Sequence, residues 1–399
     1  MDPRRNPFVP GAGIQPRELA GRRSLIEAAS VGMDRVLAGR PAKGTMLLGL
    51  RGVGKTVLLN RLRDLAERQG YRTVRIEAPE GEALPELLVP ELRRTIYALD
   101  LRLAAGDRLR RAASVLANFS RAFKVRTGDL EFSVDLAPGE ADTGRLQQDL
   151  PRLLVAVAEA AAERKTAVGL FIDEVQYLSN EELAAVIVAC HEIAQRNLPL
   201  LFIGAGLPQI AALSGKAKSY AERLFDFPQV GRLERDDARQ ALTRPASAEG
   251  ASFDDAALDA ILDATQCYPY FIQEWGFHVW NAAPASPVTH DMVHAATPHV
   301  ITHLDNNFFR VRFDQLTPLE QKYLRAMAEL DPGPILTGRV ATILGTRANS
   351  VATVRQRLIN KGMIWSQRHG ETAFTVPLFG AFMKRQMPEM PKYTPNRRT

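Results

Sequence analysis

Residues 49–56 constrain this chain more than any other stretch, because Gly49, Gly54, Lys55 and Thr56 meet the pattern GxxxxGK[ST] in full. An apolar run at 45–50 precedes the pattern. Residues 57–69 follow it with helical periodicity through Leu58, Leu59, Leu62 and Leu65. Strand, glycine-rich turn and helix is the context in which the pattern has a mechanism. Glycines let backbone N–H groups turn inward around phosphate oxygens, and the helix N-terminus adds positive potential. Lys55 then places a cation on the β and γ phosphates, and the Thr56 hydroxyl is a ligand for magnesium. Gly52, Val53 and Val57 complete the expected nucleotide-binding set. The expected cofactors are ATP or ADP with Mg2+. The competing reading, a chance glycine-rich turn, does not explain the flanking strand and helix.

A second signal lies more than a hundred residues downstream. Leu170, Phe171 and Ile172 form an apolar run, expected as a strand over 168–172, that delivers Asp173 and Glu174 at its end. Alone this is weak, since strands often end in solvated acids. Paired with the phosphate loop, it gives Asp173 the role of magnesium holder and Glu174 that of the base polarising an attacking water. Residues 71–77 and 200–204 read as further strands. Strands separated by helical stretches imply a parallel sheet between helix layers, a three-layer αβα domain.

The chain's 399 residues exceed what one hydrophobic core usually serves, so two or three domains are expected. With 46% hydrophobic and 24% charged residues, the composition is that of a soluble globular protein. A formal charge of +6 leaves phosphate-bearing partners open. Cys190 and Cys267 have neither metal-ligand spacing nor a CxxC pairing, which fits structural thiols in a reducing compartment. Residues 1–13 lack the apolar core of a secretory signal. The most apolar stretch, 198–213, is interrupted by Pro199, Gly204, Gly206, Pro208 and Gln209 and cannot form an unbroken spanning helix. The expectation is a cytoplasmic protein with no membrane contact.

Residues 79–166 form a long insertion with helical segments near 84–99, 108–123 and 146–162, and an alternating stretch at 124–135 suggests a projecting hairpin. The chain is helical from 233 to 298. From 316 onward three helices, at 319–330, 337–344 and 350–361, precede a hairpin at 363–376, the order of a winged helix-turn-helix. On the third helix Val351, Val354 and Leu358 share one face. This leaves Arg347, Ser350, Thr353, Gln356, Arg357 and Lys361 toward solvent, as a DNA-reading helix needs. Arg368, beside His369 at the hairpin tip, and the tail at 395–398 add positive charge. Duplex DNA is therefore the expected partner, against the bland alternative of a solvated basic face.

Together these residues resemble the AAA+ superfamily, specifically its origin-recognition branch and the related STAND signalling ATPases. By that resemblance residues 16–22, ending in Arg22, lie along the adenine. Arg223, within Tyr220-Ala221-Glu222-Arg223-Leu224-Phe225, is the implied arginine finger, with Arg196 a second candidate, and Tyr268-Pro269 is similar to the lid motif in which Pro269 touches nucleotide. A finger acting on a neighbour's nucleotide implies a homo-oligomer. The implied domains are an AAA+ domain at 1–232, a helical lid at 233–312, a winged helix at 313–386 and a basic tail at 387–399. The chain also departs from the pattern. Gly204-Ala205-Gly206-Leu207-Pro208 stands where a polar sensor is usual, with Gln209 a poor substitute. Cys267 replaces the lid motif's glycine, and no arginine follows Pro269 on its helix. These departures imply slow turnover. Two functions are open: a nucleotide-controlled, DNA-associated assembly or remodelling ATPase, and a switch exchanging ADP for ATP in which the winged helix is an internal clamp. Tyr270, Phe271, Trp275, Phe277 and Trp280 are expected to pack a core rather than stack on bases, with Phe308 and Phe309 buried at the junction to the winged domain.

Overall fold

A computed structural model describes residues 1–11, 13–99, 106–125, 139–366 and 370–390. The chain divides into two compact units, one of Arg22–Gly49 with Gly54–Val230, the other of Met1–Gly21 and Leu50–Val53 with Gly231–Thr399.

In the first unit the parallel sheet comprises β1 (Gly44–Leu48), β2 (Arg72–Glu77), β3 (Val168–Asp173), β4 (Leu200–Gly206) and β5 (Phe225–Asp226), in the order β2-β3-β4-β1-β5. The pairings are all parallel. Every residue of β3 and β4 is buried, which explains their unbroken apolar character, whereas β2 alternates because it lies at the edge. Register aligns Leu48 with Gly206 and Ile172 with Gly204, so β1 and β3 end together with one strand between them.

The helices of this unit are α1 (Arg23–Leu37), α2 (Lys55–Arg68), α3 (Leu84–Leu99), α4 (Asp107–Ala122), α5 (Leu146–Glu163), α6 (Asn180–Gln195), α7 (Ile210–Ala217) and α8 (Ala221–Leu224). The insertion is confirmed as helical: α3, α4 and α5 pack in succession, and α5 lies against α6. Leu150, Leu153, Leu154 and Val157 on α5 are all buried, each contributing about 1.5–3 kcal/mol of transfer free energy. The start of α6 carries a capping box, Ser179 and Glu182 satisfying each other's backbone amides at 3.2 and 2.8 Å. The hairpin expected at 124–135 lies outside the described residues apart from Lys124 and Val125.

The second unit begins its helices with α9 (Arg235–Ala248), α10 (Asp255–Thr265), α11 (Pro269–Ala282) and α12 (His290–Leu304). Phe271, Trp275 and Trp280 of α11 are buried, as the helical spacing required, while Tyr270 and Phe277 are half-buried. The N-terminal segment packs here. Phe8 is buried edge-on against Phe253 and Trp280, and lies so close to Gly276 that a Cβ there would stand 2.7 Å from the Phe8 ring. Arg5 and Arg17 both pair with Glu249.

A π-helical turn, Asp305–Phe309, leads to α13 (Arg310–Asp314). Phe309 is buried against Phe379 and Phe382, and the half-buried Phe308 stacks on Tyr270 at 4.7 Å. Next come α14 (Pro318–Ala328), β6 (Ile335–Leu336), α15 (Thr337–Ile343), α16 (Ala348–Asn360), β7 (Ile364–Trp365), β8 (Glu371–Phe374) and α17 (Phe379–Gln386). The three strands pair antiparallel in the order β6-β8-β7, and β6 is a short strand that its two residues hid from sequence periodicity. Among the described residues no helix is long and apolar enough to cross a membrane.

Candidate phosphate-binding and hydrolysis site

Helix α2 starts at Gly54, whose φ of 88° lies in the left-handed region that favours glycine, and no side chain caps its N-terminus. The N-cap residue itself brings no side-chain acceptor to the first amides of the helix, an arrangement that suits an anion. Gly52, at φ 82°, makes the other left-handed step. The Gly49 amide donates to the Gly206 carbonyl at 3.1 Å, tying the entry of the turn to the end of β4. Val57 is buried beneath the loop's exit, and Lys55 is buried while Thr56 is half-buried.

The structure brings Lys55, Thr56, Asp173 and Glu174 together. Asp173 is 1% exposed at the end of β3. Burial raises its pKa above the ordinary carboxylate value and the Glu174 charge adds to this, whereas the Thr56 hydroxyl, the Glu174 amide and Lys55 pull it down. One carboxylate oxygen, Oδ1, accepts from the Glu174 amide at 2.9 Å. The other, Oδ2, is buried without a hydrogen-bond partner. A buried anionic oxygen with no donor, next to a hydroxyl and facing an uncapped helix N-terminus, fits a hard dication such as magnesium. Asp173 and Thr56 are the residues that could hold it.

Glu174 adopts φ 53° and ψ 40°, a left-handed conformation rare for a residue with a side chain. Its carboxylate accepts a hydrogen bond from Gln176 Nε2. The same Gln176 amide accepts from the Leu207 N–H through Oε1 at 3.0 Å. Sequence reasoning missed Gln176. It looked for a polar side chain on the strand after residue 200, whereas β4 runs on to Gly206 and the polar group arrives from the turn after β3. Gly206 makes the room: a Cβ there would lie 2.9 Å from Gln176 Oε1. The available signal was a glutamine two residues past Glu174 combined with a glycine at the strand end.

Arg223 is exposed on α8, immediately before β5, and lines a cleft with Lys43, Gly44, Asn197 and Leu200. That cleft is at the starting ends of β1 and β4, the opposite edge of the sheet from Asp173. No ion pair joins Arg223 to Glu222 or Asp226 among the described residues; Asp226 pairs instead with Lys43 at 3.3 Å. Arg196 is exposed and pairs with Glu192 at 3.5 Å. Arg22 is buried at the N-cap of α1.

Within the second unit, Leu50–Val53 of the turn meet the N-terminus of α11. Tyr268 Oη donates to the Arg51 carbonyl, and the Tyr270 N–H donates to the Gly52 carbonyl at 3.3 Å. Pro269 is the first residue of α11, where a missing N–H costs nothing. Gly362, in the turn after α16, is buried with the Arg51 guanidinium beside it, 2.9 Å from where a Cβ would stand.

On α16, Val351, Val354 and Leu358 are buried and Arg347, Ser350, Thr353, Gln356 and Arg357 are exposed. Lys361 is exposed as well, and its ammonium also bonds the Gln315 carbonyl at 3.0 Å and Glu320 Oε2 at 2.8 Å. Arg368 and the tail lie outside the described residues. Both cysteines are free, and burial pushes the Cys190 thiol up to about 12.

Residues 18–203 match the family described as AAA ATPase domain. That segment is an ATPase domain of the AAA type, carrying the P-loop described above. Residues 306–383 match a second family, described as a domain of unknown function (DUF8462). Among solved structures, the chain shares its fold with a Walker-type ATPase of Pyrococcus abyssi at 14% identity and TM-score 0.58, covering 93% of this chain and 97% of that one. It is also similar to Cdc6p of Pyrobaculum aerophilum at 15% identity and TM-score 0.46, over 94% and 97% of the two chains. A RuvB of Thermotoga maritima matches at 14% identity and TM-score 0.46, over 90% and 94%. No curated protein matches the sequence.

Proposed function

We propose that this AAA+ ATPase is a nucleotide-controlled factor that assembles on duplex DNA and remodels what it finds there. In this reading Lys55 and the amides of the glycine-rich turn hold the phosphates, with Arg22 and Pro269 toward the nucleoside, and Asp173 with Thr56 holds magnesium. The metal supplies countercharge for the negative charge that builds on the transferred phosphoryl group. Glu174 polarises the attacking water and accepts its proton as ADP leaves, and Lys55 stabilises the charge that develops on the transferred phosphoryl group. Arg223, too far from Asp173 across the sheet to serve its own site, acts on a second copy of the chain.

The observation that carries the DNA reading is the stripe of Arg347, Ser350, Thr353 and Arg357, all exposed along one side of a helix whose other side is buried. Such a helix offers its cations and hydroxyls to a groove without giving up its core. Fluorescence anisotropy with a labelled duplex, ATP and magnesium tests it. Affinity should fall steeply between low and moderate salt, and replacing both Arg347 and Arg357 by Ala should weaken binding about tenfold or more. Absence of any salt-dependent duplex affinity sinks the proposal.

One observation favours a second reading, an ADP/ATP switch with the winged module as internal clamp: Arg51 of the glycine-rich turn packs against Gly362. If that contact governs the output, Arg51→Ala should change nucleotide exchange rates while leaving duplex binding unaltered.

A further inference from the structure

Away from the phosphate loop, the second unit holds a cluster with no role in hydrolysis. Glu274 and His278 lie one turn apart on α11, and His303 faces them from α12, which packs against α11. One ligand atom from each lies within 4.8 Å of the other two. His278 Nε2 and Glu274 Oε2 stand 3.5 Å apart, yet both are buried and neither makes a hydrogen bond. At that separation they are within ion-pair reach of each other, but neither atom has a partner in good hydrogen-bond geometry, which leaves room for an ion between them. Two other atoms of the cluster are held: Glu274 Oε1 accepts from Tyr270 Oη at 2.6 Å, and the Asn307 amide lies 3.2 Å from His303 Nδ1.

We propose that Glu274, His278 and His303 form a binding site for a transition-metal dication of the zinc type. Tetrahedral ligation at about 2.0–2.1 Å separates ligand atoms by about 3.3 Å, close to the gap between the two buried atoms. The exposed His303 ring closes the remaining distance by rotation about its own side chain. Two nitrogens and one carboxylate oxygen select zinc, cobalt or nickel over the hard magnesium ion that suits Asp173. Three protein ligands leave a coordination position for water, and Tyr270 orients the carboxylate as partners of metal ligands do. The site bridges α11 to α12. Since the Tyr270 amide also bonds the Gly52 carbonyl, the ion would brace the helix on which the glycine-rich turn rests.

The test uses the untagged, metal-stripped full chain without nucleotide or magnesium, titrated with Co2+. Visible d–d absorption saturating at one equivalent and displaced by Zn2+ is expected, with a rise in the thermal midpoint on Zn2+ addition. His303→Ala removes an exposed ligand and leaves the core intact; it should weaken Co2+ binding at least tenfold and abolish the thermal shift. His278→Gln should do the same, with far-UV circular dichroism unchanged. No absorption bands, or undiminished Co2+ affinity in His303→Ala, overturns the assignment. Neither result bears on duplex binding, so this inference and the proposed function fail separately.

Discussion

Gln176 joins the carboxylate of Glu174 to the backbone of Leu207, donating to one and accepting from the other. A single amide thereby couples the proposed catalytic base to the end of β4, the position where a polar side chain of the strand itself was expected. Replacing Gln176 by Ala should leave Glu174 free to turn away from the phosphate. We expect kcat for ATP hydrolysis to fall about tenfold with KM little changed, the pattern of an interaction used in the transition state. Gly206→Ala, which drives a methyl into Gln176 Oε1, should reproduce the loss. Equal kcat values in all three proteins would exclude the link.

Lys55 and Glu174 should separate binding from chemistry. Lys55→Ala removes the buried cation and is expected to abolish measurable ATP binding by calorimetry. Glu174→Gln keeps the shape of the side chain without its basicity. It should retain ATP affinity within a few-fold while single-turnover hydrolysis drops by about 10² or more.

Arg223 gives a prediction about copies rather than chains. Because it is exposed and faces away from Asp173, Arg223→Ala should bind ATP normally and hydrolyse it at least tenfold more slowly. Mixing it with Lys55→Ala should restore turnover where an intact Arg223 meets an intact phosphate loop. No recovery at any mixing ratio would remove the finger role.

The buried Glu320 caps α14 and depends on Lys361. Burial alone would raise its pKa, but the Lys361 ammonium and the Thr317 amide outweigh burial and hold it below the ordinary glutamate value. A carboxyl group lowered in this way stabilises the fold above its unfolded pKa, and that contribution is lost as pH falls through the folded value. Urea unfolding should show the loss between about pH 5 and pH 3. Lys361→Met should cost about 1–2 kcal/mol at neutral pH by leaving the carboxylate without its cation, and should flatten the acid limb.

The phosphate loop and the Asp173-Glu174 pair were legible because their chemistry is written in adjacent residues. The helices of the insertion and of the C-terminal segment were legible for a related reason: Leu150, Leu154 and Val157, or Val351, Val354 and Leu358, repeat at helical spacing and are indeed the buried faces. What sequence could not show depends on neighbours brought in by folding. Gln176 matters only because β4 lies beside β3. β5 and β6, of two residues each, are too short for any periodicity to register. The pairing of the exposed Lys361 with Glu320 was hidden because Glu320 lies a helix away. The metal-ligand set was equally hidden, its third member contributed by a different helix from the first two.

The placement of Phe8 under Gly276 sets a schedule for synthesis. A ribosome releases Phe8, Arg5 and Arg17 long before it polymerises Phe253, Trp280 and Glu249, the residues that bury or neutralise them. Through the translation of residues 22–248 this segment trails with an aromatic ring in water, available to chaperones and to mispairing, until Glu249, Phe253 and Trp280 follow it.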